Sequence, residues 1–290
     1  MVEFKGAEKE QAAITGSQPI ETIIERSSGW RLIDCRELWE YRDLFRFLVW
    51  RTVKVRYSQS ALGIGWAVIQ PFFQMVVFTI IFGRLVKVES EGIPYAIFSF
   101  AALVPWTYFS SSLTEGTASL VTNSNMISKV YFPRLIMPLS AVMAKLVDFA
   151  IAMVLLFGMM AWFGIMPDAK ILMLPVFVLV MILTASGLAM WLTAMAIQYR
   201  DVNYAMGFMV QLLMYAAPVV YSASVIPAKY QLYYALNPMV CVIEGFRSVL
   251  LNTRDIPWQF LAIGSSVSVL LFLSGAIYFR RKERLFADVA

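Results

Sequence analysis

Two pairs of opposite charges, Lys145 with Asp148 and Glu244 with Arg247, stand three residues apart in stretches made mostly of apolar side chains. A helix carries residues at that spacing on one face, so each pair can neutralise itself. In hydrocarbon an unpaired member would cost about 2.5–3.5 kcal/mol at the helix centre. Such pairs can serve as structural bridges, in helix contact or in gating, and the residues alone leave these roles open. Catalysis has little to draw on. The chain has no histidine, which removes the commonest general base and metal ligand. It has no Walker A sequence, and the dipeptide Gly-Lys is absent, so it has no phosphate-cradling loop with which to hydrolyse ATP. No catalytic, cofactor-binding or metal-ligating residue is expected.

These pairs are positioned by long apolar runs. Six are read, at 66–83, 93–113, 135–165, 171–197, 204–221 and 259–279, each near or above the roughly 18–20 residues that cross hydrocarbon as a helix. The fold class expected is all-α integral membrane. With 60% hydrophobic and 15% charged residues in 290, little chain remains for a separate soluble domain. Seventeen of the 24 Lys and Arg residues fall on one side when both termini share it, and basic flanks mark the cytoplasm. The net charge of +5 is thus a topology signal and an attraction to anionic lipid; no basic and aromatic surface for nucleic acid is evident. Cys35 and Cys241 then lie on opposite sides, which excludes a disulfide framework. The first 30 residues lack a signal-peptide pattern and read as a cytoplasmic tail.

Two segments depart from simple spans. Wound as a helix, 38–56 places Leu38, Tyr41, Leu44, Phe45, Leu48, Val49 and Val55 on one arc and Arg42, Asp43, Arg46, Arg51 and Lys54 on the other. Such a helix lies flat on the cytoplasmic leaflet or packs on protein. The stretch 222–258 is cut by Pro227, by Asn237-Pro238 and by the charges at Glu244 and Arg247. A seventh crossing there would carry Arg280, Arg281 and Lys282 outside, against the charge rule. Two short helices that dip in from the outer face and return are expected instead, shielded by protein or lining a wet cavity. The cytoplasmic loop 123–134, NSNMISKVYFPR, has a short helix start before Met126, an exposed Val130-Tyr131-Phe132 triplet that wants a partner or an interfacial anchor, and an extended exit at Pro133.

Read in order, KVRYSQSALGIGWAVIQP (54–71), NSNMISKVYFPRLIMP (123–138), YRDV (199–202), LNPM (236–239), EGFR (244–247) and YFRRKERLFADV (278–289) form a series that resembles the permease subunit of bacterial polysaccharide ABC exporters. These are the type-2 permeases for O-antigen, capsule or teichoic acid, and the resemblance covers roughly 38–289. It implies a domain plan of a 1–34 tail, an amphipathic interface helix in 35–60, a membrane domain over 61–282 and a 283–290 tail. It also implies a homodimer joined to two copies of a separate ATPase, which uses ATP and Mg, with a lipid-linked polysaccharide as substrate at the bacterial inner membrane. By similarity Asn123, Asn125, Met126, Lys129, Val130, Tyr131, Phe132, Pro133 and Arg134 form the coupling segment that docks on the ATPase. Arg42, Arg46, Arg51, Lys54 and Arg56 mark the interface helix, and Asn237, Pro238, Glu244 and Arg247 belong to the gate helices.

Sugar chains have apolar C–H faces that lie well on aromatic rings. Trp66, Phe73, Trp106, Tyr108, Phe109, Tyr204, Phe208, Tyr215 and Tyr221 are therefore candidates for the translocation path, against a competing role as interfacial anchors or packing. O-antigen is the expected cargo, with capsule or teichoic acid as alternatives. A gradient-driven carrier would call for titratable mid-membrane carboxylates and broken helices in matching halves. A membrane enzyme would need a nucleophile or base in a site facing the headgroups, and with no histidine and no paired carboxylates it is the poorest of the readings.

Overall fold

The computed structural model describes residues 39–58, 63, 65–127, 129 and 131–283. The expected 1–34 tail, residues 284–290, Cys35, Leu38 and Val130 lie outside them. The described residues are helical, with no strand among them. In chain order the helices are α1 (Arg42–Ser58), α2 (Gly65–Phe78), α3 (Tyr95–Thr122), α4 (Ser124–Ile127), α5 (Ile136–Trp162), α6 (Leu174–Gln198), α7 (Asp201–Tyr215), α8 (Ala228–Tyr234), α9 (Pro238–Leu251) and α10 (Trp258–Lys282). A π-helical turn, Thr79–Leu85, extends α2, and a 3-10 turn, Ala169–Met173, leads into α6.

Five helical stretches are long and apolar enough to cross a membrane: Gly65–Leu85, Tyr95–Thr122, Ile136–Trp162, Ala169–Gln198 and Trp258–Lys282. The bent pair α8–α9 makes a sixth if counted as one span. The chain is a multi-pass membrane protein. The expected fifth crossing is α7, 15 residues long or about 22 Å, which gives way to turns over 216–221. The expected second run does not stop at 113; α3 continues to Thr122, 28 residues in all, because Ser, Thr and Glu side chains leave its backbone bonds undisturbed once the helix is buried.

Local signals account for the boundaries in 222–258. Asn237 caps α9 by accepting from the Met239 amide at 3.1 Å, with Pro238 at the first turn where its missing N–H costs nothing. Asn252 ends that helix in the left-handed region at φ 51, a conformation asparagine tolerates. Between α8 and α9 the axis turns by 110°.

The core is built around α3, which packs on α5 and α6, while α10 lies along α6 and α9 wedges against α3, α6 and α10. Of the apolar stretch of α3, 78% is buried, against 11% for that of α2. Every residue of α9 is buried. The α6–α10 crossing is backbone to backbone: a Cβ on Gly187 would meet Leu271 and Phe272 main chain at 2.6 Å, and one on Gly275 would meet the Gly187 carbonyl at 2.4 Å. Small residues at such crossings give the close van der Waals contact that binds helices in lipid, where hydrophobicity offers no preference.

The helix α1 packs on α5. Leu48 enters a second core with Leu120, Phe132, Ile136, Met190 and Phe279, flanked by Tyr41, Leu44 and Phe45. Phe47, Trp50 and Val55 remain exposed. Val55 shares the arc of Leu48 but is exposed, so the covered arc is narrower than the apolar one, since only one side of a surface helix meets the bundle.

Candidate functional site

Lys145 and Asp148 do not form an isolated pair. Their Nζ and Oδ2 atoms are 3.5 Å apart, and Lys145 is closer to Glu115 of α3, at 2.5 Å. Arg56 of α1 completes the group, bonding Glu115 and reaching Asp148 at 2.6 Å. Tyr57 donates to the other Asp148 oxygen, and burial, then that bond, push its phenol above the ordinary range. Two cations and two carboxylates thus neutralise one another across three helices. Arg56, placed by the sequence among the basic residues of the interface helix, is turned into the bundle. Glu115 was not anticipated, because the apolar run stops at 113. The signal was the polar repeat Thr107, Ser110, Ser111, Thr114 leading to Glu115, which helical spacing puts on one face.

That face lines a cleft of about 460 Å³ between α2, α3, α5 and α7. Trp66 and Gln70 of α2 and Val210 of α7 close it on one side, the four α3 hydroxyls and Tyr108 on the other, and the ion group sits at one end. The hydroxyls satisfy themselves on their own helix: Ser110 and Ser111 donate to the Thr107 carbonyl at 3.2 and 2.5 Å, and Thr114 to that of Ser110 at 2.9 Å. Their lone pairs are left to face the cleft, a wall able to exchange hydrogen bonds with water or sugar.

The nine aromatic candidates divide. Trp106, Tyr108 and Phe109 are buried in the core; Trp106 and Phe109 pack on each other with centroids 5.5 Å apart, and Tyr108 donates to the Val142 carbonyl at 3.3 Å. Only Tyr108 touches the cleft, so Trp106 and Phe109 are packing residues here. They were chosen for nearness to a span end, but α3 runs on to Thr122, which leaves them mid-helix in the core. Trp66, Phe73, Tyr204, Phe208 and Tyr215 are exposed, and their spacing sets the first two on one face of α2 and the others on one face of α7. These helices touch where Gln74 reaches the Met214 sulfur at 3.6 Å. Tyr221 instead bonds the Tyr215 carbonyl at 3.0 Å and the Tyr234 hydroxyl at 3.1 Å.

At the other end Arg247 is wholly buried and is a hub. It meets Glu244 at 3.0 Å, donates to the carbonyls of Val219 at 3.0 Å, Tyr221 at 2.9 Å and Phe98 at 3.4 Å, and stacks over the Phe98 ring at 3.6 Å. Glu244 also accepts from the Ala223 amide at 3.2 Å. The pair thus pins the turns after α7 to α3 and α9. Glu91 extends the group, accepting from Ser222 and lying 2.9 Å from Arg254.

In the coupling loop Asn125 falls on α4, a helix of four residues. Asn123 donates to the Ser119 carbonyl at 2.8 Å, and the Met126 sulfur accepts from Arg51 at 3.8 Å. The expected exposed triplet splits: Tyr131 is 76% exposed, whereas Phe132 is 4% exposed in the second core. Successive side chains in an extended strand point opposite ways, so one aromatic is presented and the next anchors. Pro133 is buried, Lys129 is exposed, and Arg134 bonds Glu283 at the end of α10. On α1, Arg42 lies over Trp39, Lys54 over Trp50, and Arg46 pairs with Asp43.

Apolar helices that neutralise their own charges around a hydroxyl-lined cleft define a multi-pass membrane protein of transport type. The chain belongs to the ABC-2 type transporter family, whose membrane component matches residues 43–251. It is similar to the O-antigen export system permease protein RfbA of Myxococcus xanthus, 29% identical over 87% of this chain and 97% of that one. RfbA of Klebsiella pneumoniae is 25% identical over 85% of this chain and 95% of its own length. The polysialic acid transport protein KpsM of Escherichia coli is 21% identical over 81% and 92%.

Proposed function

We propose that this chain is the permease subunit of an ATP-driven exporter of lipid-linked polysaccharide in the bacterial cytoplasmic membrane, with O-antigen as the cargo. The observation that carries this reading is the match over nearly the full length of export permeases named for O-antigen. The cleft agrees with it, since hydroxyls beside Trp66 suit a cargo with polar edges and apolar faces. Two copies build the channel in this reading, and the outward aromatic faces of α2 and α7 meet across the pair. ATP and Mg are used by two copies of a partner ATPase that grips the loop 123–134, where Tyr131 and Lys129 stand exposed. Both termini and α1 then lie on the cytoplasmic side, a placement that the basic flanks support.

The test is reconstitution. The chain copurifies with an ATPase subunit, and vesicles holding both move lipid-linked glycan across the bilayer only with hydrolysable ATP. Movement by the purified chain alone, or no association with any ATPase, overturns the proposal.

A further inference from the structure

A second cavity, of about 490 Å³, lies between α1, α3 and α5. Its wall is mixed. Leu48 and Val55 of α1, with Ala118, Met137 and Ala141, supply apolar surface, Thr52, Ser119, Thr122, Asn123 and Ser140 supply polar groups, and Arg51 and Arg56 reach it from α1. The one carboxylate in the wall, Glu115, is already shared between Arg56 and Lys145. Arg51 has no acidic partner among the described residues; its contact is the Met126 sulfur at 3.8 Å. Ser119 also lines the crevice, 7% exposed, with its hydroxyl lacking a hydrogen-bond partner. The crevice therefore has, beside its apolar residues, an exposed cation with no acidic partner among the described residues.

We infer that this crevice holds the phosphate-bearing headgroup of a lipid, with Arg51 as its principal cation and the alkyl chain lying against the apolar residues. A guanidinium suits phosphate oxygens because its N–H fork meets two at once. The helix that presents it is amphipathic, with Phe47, Trp50 and Val55 exposed, as befits a helix at headgroup depth. Arg56 and Glu115 line both this crevice and the hydroxyl-lined cleft, so a headgroup seated here is one ion pair from the cleft. Exchange of Glu115 for a lipid phosphate on Arg56 would join the two cavities. Binding of a phosphate headgroup in this crevice does not depend on the export reading.

Native mass spectrometry of the purified full-length chain, offered equimolar phosphatidic acid and phosphatidylcholine of identical acyl chains, tests the inference. Phosphatidic acid is retained in preference. Arg51→Gln weakens its retention about fivefold, the ratio matching about 1 kcal/mol for one cation near a phosphate surface, and Arg51→Lys recovers part of it. Arg200→Gln, which removes an equal charge outside the crevice, changes nothing, and millimolar inorganic phosphate does not displace the lipid. Equal retention of the two lipids, an equal loss in Arg200→Gln, or displacement by inorganic phosphate overturns it. The measurement needs no ATPase, so its failure is separate from a failure of reconstituted export.

Discussion

At the scale of single residues, the two charge groups differ in what their removal does. Arg247 has no exposed atom to rehydrate, and it serves Glu244 and three carbonyls. Arg247→Ala leaves a buried carboxylate unpaired, a change that costs about 3–5 kcal/mol. The expected outcome is a sharp fall in folded, monodisperse protein and in its thermal midpoint in detergent. A variant that stays fully folded yet exports differently would make the pair a gate and not a hub. The pair itself was legible in the sequence from its spacing. Its partners were not, because carbonyls of 98, 219 and 221 carry no signature in residue type, and only folding brings them to one guanidinium. The same holds for Glu115, which lies 30 positions from Lys145 in the chain.

At the scale of elements, packing of small residues sets the bundle and alternation sets the loop. Gly187→Leu places side-chain atoms where α10 main chain lies at 2.6 Å; α6 and α10 must separate, and stability falls by about 1–3 kcal/mol or more, read as a lower thermal midpoint. In the loop before α5, Phe132→Ala empties a buried site and costs about 3–5 kcal/mol. Tyr131→Ala, a few ångströms away along the chain, leaves stability unchanged and weakens capture of the ATPase. If the two variants behaved alike in both assays, the division of the triplet into anchor and contact would be wrong. The sequence located this loop and both helices of the bent pair by their Pro and Asn punctuation. The apolar arc of α1 was legible as well, but not the part of it that is covered, because amphipathicity records which side avoids water and not which part of that side meets protein.

At the scale of the whole molecule, exposure is uneven from helix to helix. Of the apolar stretch in α2, 11% is buried, and Phe73, Tyr204, Phe208 and Tyr215 are exposed with it. If two copies meet on these faces, Phe73→Cys in a chain carrying Cys35→Ala and Cys241→Ala forms a disulfide between copies in membranes under mild oxidation. The same substitution at Val154, exposed on α5, does not. Equal crosslinking at both positions would reduce the contact to random collision.

Hydropathy and charge placement by themselves determined that this is a helical membrane protein and that it has several spans. These follow from averages over many residues, and the bilayer responds to averages: length of apolar helix, sum of charges at each flank. Which charges meet, which aromatics are buried, and that one hydroxyl face lines a cleft were decided only in the tertiary structure. Those outcomes depend on the rotation of each helix about its own axis. That rotation is selected by close packing between helices far apart in the chain, through contacts such as Gly187 on Gly275, which no local pattern encodes.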